Sequence, residues 1–178
     1  MEKYKVLGST VDDAVGEAFD KVARMLNLPY PGGPEISKLA EQARVENIKN
    51  EIRLPRPMIH SKDLKFSFSG LKTAVLYALK NIGEPNADQK KDIAREFEDA
   101  VTEVIISKTK SAIEDNEVRT LIVGGGVIAN SHIRESFDNL AREKNIPLLL
   151  PATGLTGDNA LMIALVCTAN SVAEGVML

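Results

Sequence analysis

The chain has 178 residues, of which 44% are hydrophobic and 26% are charged. These are ordinary values for a globular protein, so they exclude a disordered or fibrous chain. No apolar run approaches the ~18 residues needed to cross a membrane, and a net charge of −3 argues against broad, non-specific nucleic-acid binding. We therefore expect a cytoplasmic protein with no membrane partner, whose single Cys167 is buried filler.

Residues 1–45 are predicted to hold one short strand and two helices. Residues 4–8 lean towards β structure. Thr10 and Asp13 resemble a capping box, and the apolar spacing after them predicts an amphipathic helix over residues 11–27. The Pro/Gly-rich run that follows ends this helix, and Pro34 is placed to open the next one in its first turn.

Residues 44–65 form the least regular part of the sequence, with prolines at 55 and 57. Seven basic residues stand against three acidic ones between Arg44 and Lys72. Such an excess of basic residues either binds a phosphate backbone or forms a solvated surface, and composition leaves both interpretations open. An apolar stripe from Ser69 then predicts a third helix, and a capping box of Asn86 and Gln89 predicts a long fourth helix.

The most informative segment is a β-branched strand over residues 119–124 that breaks at Gly124, Gly125 and Gly126. The chain is predicted to restart as a helix at Asn130. Three backbone amides without side chains around them, between a strand end and a helix N-terminus, favour binding of an anion or a nucleotide. The turn lacks the Lys and Ser/Thr of a P-loop, and it resembles the dinucleotide fingerprint only loosely.

The predicted sheet is small for the number of helices. A third strand over residues 146–150 leads to a Gly/Thr loop, and Asp158 is expected to begin a last helix. Three strands against five or six helices indicate an α/β fold from which part of the sheet is missing, with edges that need cover.

Five ordered segments identify a resemblance: they are similar to the TsaD family of tRNA threonylcarbamoyladenosine transferases, once described as glycoproteases. The segments are residues 11–21, 30–34, 66–72, 123–130 and 156–160. The resemblance implies the actin-like, Hsp70-like ATPase fold, in which two RNase H-like lobes surround a nucleotide cleft. It covers only the C-terminal half of that family. We therefore expect residues 1–178 to be one truncated C-terminal lobe, with residues 44–65 as an irregular basic insertion.

The resemblance also implies a site. Asp20, Gly33 and Asn130 correspond to contacts with the adenosine part of threonylcarbamoyl-adenylate. Ser37 stands where many relatives have an aspartate that binds ribose, which weakens that contact. Asp158 corresponds to a ligand of a divalent metal, iron or zinc, whose two histidine ligands have no counterpart here. With the glycine amides around the adenylate, the chain would supply one wall of the cleft.

The activity implied is transfer of the threonylcarbamoyl group from its adenylate to the adenosine beside the anticodon of tRNA, with accessory proteins of that pathway as partners. On its own, the chain is expected to be inactive and to self-associate through its sheet edge. Two other classes stay open: the nucleotide-binding lobe of another actin-like enzyme, such as a kinase, and a non-catalytic interaction module. Retained affinity for the adenylate separates the enzymes from the module.

Overall fold

The computed structural model describes residues 5–157. These residues form five α-helices, two short strands and two 3₁₀ turns. The helices are α1 (Val15–Met25), α2 (Gly32–Val45), α3 (Ser69–Ile82), α4 (Ala87–Glu114) and α5 (Ser131–Lys144). The strands are β1 (Leu121–Ile122) and β2 (Leu148–Leu149), and the 3₁₀ turns are Gly126–Ala129 and Thr153–Leu155.

Helix α4 lies at the centre of the core, where α2 packs along it and α1, α3 and α5 contact one or both of them. The rings of Phe19 and Phe97 meet edge to face, with centroids 5.0 Å apart, a favoured geometry for aromatic pairs. Around them lie fully buried aliphatic side chains from the end of α1 and from α2, α3 and α4: Leu26, Ile36, Leu71, Val75, Ile93 and Val101. Burial of these apolar faces is what holds the helices together.

Local signals placed most helix ends correctly. The capping box of Asn86 and Gln89 is formed in both directions, and α4 begins directly after it. Helix α3 begins at Ser69 and ends before Gly83, whose φ of +82° favours glycine. Pro34 lies in the first turn of α2, where its missing N–H is harmless. These predictions are confirmed.

The predicted start of α1 is wrong. Thr10 and Asp13 form no capping box, because the Thr10 hydroxyl donates to the Asp13 carbonyl at 3.0 Å. The Asp13 carboxylate instead pairs with Lys21 at 2.8 Å and with Lys72 of α3 at 3.2 Å. The helix therefore begins at Val15, because the Asp13 side chain, which the sequence pattern placed in a capping box, forms ion pairs instead.

The strand predicted over residues 4–8 is also not formed within the described part, where residues 5–9 are irregular. In its place a single parallel bridge joins Thr10 to Phe66. The Val11 amide donates to the Phe66 carbonyl at 2.9 Å, and the Phe66 amide donates to the Ser9 carbonyl at 3.0 Å. Val6 is 83% exposed, so no strand packs over this segment within residues 5–157.

The sheet is smaller than predicted, since the strands expected over residues 119–124 and 146–150 shrink to two residues each. Strands β1 and β2 are parallel, with Leu121 opposite Leu148 and Ile122 opposite Leu149. The described residues thus form an α/β unit with five helices and a two-stranded sheet. The last predicted helix and Cys167 lie outside the described residues. Within the described range, no helix is long and apolar enough to cross a membrane.

The irregular segment that follows α2 is fastened to α4. The Asp92 carboxylate accepts the amides of Glu51 and Ile52 at 3.0 and 3.1 Å, and Glu96 accepts the Leu54 amide at 2.9 Å. Arg56 pairs with Glu96 and Glu103. Arg44, at the end of α2, pairs with Glu98 and Asp99. The basic excess is therefore partly neutralised, and it is not one continuous solvated stripe.

Candidate functional site

The predicted site residues border a cleft of about 750 Å³. Helix α1 forms one wall, the first half of α2 forms another, and the 3₁₀ turn before α5 closes the end. Of the seven residues predicted to bind nucleotide, five line it: Asp20, Gly33, Ser37, Gly126 and Asn130. They come from three segments spread over more than 100 residues of sequence, and the fold brings them together.

Asp20 joins the first two walls. Its Oδ1 accepts the backbone amide of Gly32 at 2.8 Å, at the first residue of α2. A side chain at Gly32 would place a Cβ 2.5 Å from the Ala23 Cβ and 2.8 Å from the Asp20 Cα, so glycine is required for this close approach. Among the described residues, Oδ2 of Asp20 has no hydrogen-bond partner, which leaves one carboxylate oxygen for a ligand.

The three glycines provide open backbone rather than tight packing. Gly125 has a φ of +95°, a conformation that favours glycine. A Cβ at any of Gly124, Gly125 or Gly126 would meet nothing within 4 Å. Among residues 5–157, the amides of Gly124 and Gly125 donate to no acceptor. Space and unpaired amides at this point are what an anionic ligand requires.

Asn130 lies where the 3₁₀ turn meets α5, and its side chain is held on three sides. Its Oδ1 accepts the Ile133 amide at 2.9 Å, which caps the N-terminus of α5. Its Nδ2 donates to Ser37 Oγ at 3.2 Å and to Glu98 Oε1 at 2.5 Å. The amide therefore links α5 to both α2 and α4.

Behind Asn130 lies a buried charge network. Glu98 is 0% exposed, and its second oxygen accepts from Arg44 at 2.6 Å. Arg44 also donates to Asp99, which lies 3.1 Å from Nε2 of His132. Burial raises the pKa of Asp99, but hydrogen bonds from His132 and Arg44 outweigh it and hold this pKa below its ordinary value. The network keeps charges under the cleft paired.

The described residues do not form a metal site. Asp158, the expected ligand, lies outside them. Within residues 5–157, no three His, Cys, Asp or Glu side chains are grouped so that they could hold an ion. His60 is exposed, and His132 is engaged by Asp99. The metal therefore rests on the resemblance alone, and no chemical step can be derived through it from the described residues.

Three residues that matter to the cleft were missed from sequence. Lys38 and Glu41 line it. Glu41 is four residues after Ser37 and Lys38 is four residues after Pro34, so helical spacing carried a usable signal. Glu98 does not line the cleft but fixes Asn130. Nothing local marked it, because it stands in a helix where many charged residues face solvent.

Comparisons with known proteins give one consistent match. A family model described as tRNA N6-adenosine threonylcarbamoyltransferase, TsaD, covers residues 1–165. A protein of that name from Thermosipho africanus is 49% identical over 164 residues, which are 92% of this chain and 48% of the relative. One from Paraburkholderia xenovorans is 48% identical over 91% of this chain and 47% of its own length. The chain spans about half the length of the curated relatives it matches.

Proposed function

Because the chain belongs to the TsaD family of tRNA N6-adenosine threonylcarbamoyltransferases, we propose that its cleft holds the adenosine part of threonylcarbamoyl-adenylate. The protein then transfers the threonylcarbamoyl group to the N6 amine of the adenosine beside the anticodon of tRNA. The leaving group is adenosine monophosphate. We also propose that the described unit belongs to an actin-like lobe, since that is the fold the family resemblance implies.

One observation carries this proposal: five of the seven predicted nucleotide-binding residues converge on a single cleft. Its volume of about 750 Å³ is within the usual range for small-molecule sites. Its lining combines the aromatic Phe19, a carboxylate, a hydroxyl and open glycine backbone. A nucleoside needs an apolar surface for the base and a few directed polar groups for the sugar, and this lining offers both.

The contacts suggest a role for each wall. Oδ2 of Asp20 accepts a ribose hydroxyl, because Oδ1 is already engaged by Gly32. The unpaired amides of Gly124 and Gly125 directly precede Gly126, which lines the cleft, and we assign them to the phosphate as hydrogen-bond donors. The shorter Ser37 replaces a carboxylate with a hydroxyl, so ribose is held by Asp20 alone. The described residues bind and orient the acyl donor.

The family match favours the transferase over the kinase-like alternative. A divalent metal, iron or zinc, with Asp158 as one ligand, remains part of the proposal on the resemblance alone. When bound, such an ion would polarise the acyl donor. The exposed Lys62 and Lys65 are the part of the basic segment that we propose faces tRNA, since neither forms an ion pair within the described residues. Accessory proteins of the pathway are proposed partners on the same resemblance.

The test is transfer of labelled threonylcarbamoyl from its adenylate to tRNA by the protein that contains this chain. Replacing Asp20 with Asn removes the charged acceptor but keeps its size. We expect transfer efficiency to fall by about ten- to hundredfold, because a hydrogen bond to a charged group contributes about 1.5–3 kcal/mol. Asp138→Asn is the matched control, since Asp138 pairs only with Arg142 on the exposed side of α5 among the described residues. Equal activity of both variants would contradict the proposed role of the cleft.

A further inference from the structure

The hydrogen bonds that Asn130 already makes leave its side chain only one way to hydrogen-bond a ligand. Both Nδ2 hydrogens are used, one by Ser37 Oγ and one by Glu98 Oε1. Oδ1 accepts one hydrogen bond, from the Ile133 amide. A carbonyl oxygen has two lone pairs, so the remaining capacity of this side chain is a single acceptor.

The orientation of the amide is enforced by its surroundings. Exchanging oxygen and nitrogen would place Oδ1 against the Glu98 carboxylate and Nδ2 against the Ile133 N–H. The first contact would be acceptor against acceptor, and the second donor against donor. The Glu98 carboxylate is itself fixed, because its other oxygen accepts from Arg44 at 2.6 Å and the residue is fully buried.

Ser37 is left with the opposite capacity. Its hydroxyl oxygen accepts from Asn130, and among the described residues its hydrogen is donated to no acceptor. Both side chains line the cleft. They therefore present an acceptor, Oδ1 of Asn130, and a donor, the hydroxyl of Ser37, on two side chains that a hydrogen bond of 3.2 Å joins. The matching ligand edge carries one donor beside one acceptor, as the 6-amino group and an adjacent ring nitrogen of adenine do.

We propose that Glu98 is a positioning residue that makes the cleft select bases with an exocyclic amine, by holding Asn130 as an acceptor beside the Ser37 donor. This inference rests on the proposed function, since it requires a nucleoside in the cleft. It extends that proposal by naming the pair that reads the base edge. It also names a buried carboxylate, outside the cleft, on which that reading depends.

The probe pair is adenosine and purine riboside, which differ only by the 6-amino group. Each is titrated into the 178-residue chain, and affinity is measured from nuclear magnetic resonance shifts of cleft residues. The unaltered chain should prefer adenosine by about three- to tenfold, the usual value of one neutral hydrogen bond. No preference in the unaltered chain would overturn the inference, whatever the variants do.

Glu98→Gln should weaken or abolish this preference. Arg44 has only donors, so the oxygen of the new side-chain amide must face it, and the nitrogen of that amide then faces Nδ2 of Asn130. Turning the Asn130 amide over would only move this conflict to the Ile133 N–H, which now donates to Oδ1 at 2.9 Å. Neither orientation is then free of opposed donors, so Oδ1 is no longer held as an acceptor towards the ligand. Arg44 keeps its pairing with Asp99, so this partly buried cation is not left without a partner.

Two controls separate this effect from general damage. Asp99→Asn removes the negative charge of the other partner of Arg44 without changing Glu98, so it should retain the preference. Ser37→Ala removes the donor that both nucleosides use, so it should weaken both equally and keep their ratio. A Glu98→Gln chain that binds adenosine with unchanged preference would overturn the inference while the proposed function stands. Failure of the unaltered chain to bind either nucleoside would overturn both.

Discussion

The close approach of α1 and α2 predicts opposite effects of alanine at two adjacent glycines. At Gly32 a new Cβ would lie 2.5 Å from the Ala23 Cβ and 2.8 Å from the Asp20 Cα. Carbon atoms pack at about 3.5–4.0 Å, so the helices must separate by about 1 Å. Overpacking of this kind costs about 1–3 kcal/mol. The separation also lengthens the hydrogen bond from the Gly32 amide to Asp20.

At Gly33 a new Cβ would meet nothing within 4 Å. Alanine there should raise the free energy of unfolding by about 0.4–1 kcal/mol, by restricting the unfolded chain. The two variants should therefore differ by roughly 2.5 kcal/mol, or about 5–10 °C in Tm for a domain of this size. Thermal unfolding followed by circular dichroism measures the difference. Equal Tm values for Gly32→Ala and Gly33→Ala would refute the packing argument.

Three further predictions concern acid stability, tRNA and self-association. Burial raises the pKa of Asp12, but hydrogen bonds from the Ser67 hydroxyl and from the amides of Phe68 and Ser69 outweigh it and hold this pKa below its ordinary value of 3.8. The ionised Asp12 therefore stabilises the fold fully above pH 3.8, and this contribution is lost as the pH falls through the lower pKa of the folded state. Asp12→Asn should lower Tm at pH 7 and match the unaltered chain at pH 2, and a constant gap across a pH series of melting curves would show that the charge is irrelevant. Lys62→Glu with Lys65→Glu, in the protein that contains this chain, should weaken tRNA binding and flatten its salt dependence in filter-binding titrations; unchanged affinity would return these lysines to plain surface. Ile122 and Leu149 are 73% and 54% exposed on paired strands, so Ile122→Lys should reduce self-association in sedimentation velocity, and a chain that is monomeric before the change would contradict this.

Local sequence signals were sufficient for most helices. Helix α3 begins at Ser69, where its apolar stripe starts, and α4 begins directly after the Asn86 capping box, because both signals are local in the sequence. The start of α1 was missed because Asp13 pairs with Lys72, 59 residues away. The strand predicted over residues 4–8 is wrong because β structure needs a partner, and within the described residues the only pairing near this segment is the bridge from Thr10 to Phe66.

The residues of the candidate site also divide into those that the sequence could predict and those that it could not. Asp20, Gly33 and Asn130 follow from the family resemblance, and the glycines were visible as a strand broken at three bare amides. Glu98 was out of reach of a sequence argument, because its burial is compensated by Arg44 and Asn130, 54 and 32 residues away. A buried charge is recognised only once its partners are placed. The basic segment shows the same limit, since the ion pairs of Arg56 depend on carboxylates of α4.

The measurement that tests the account most directly is a map of adenosine binding on the labelled 178-residue chain by heteronuclear magnetic resonance. The account predicts that shifts concentrate at Gly33, Ser37, Gly126 and Asn130, and that Asp20→Asn weakens the binding at least about tenfold. Asp138→Asn should leave the map unchanged. Shifts confined to other surfaces, or binding that is indifferent to Asp20, would contradict the claim that this cleft holds the adenosine part of the donor.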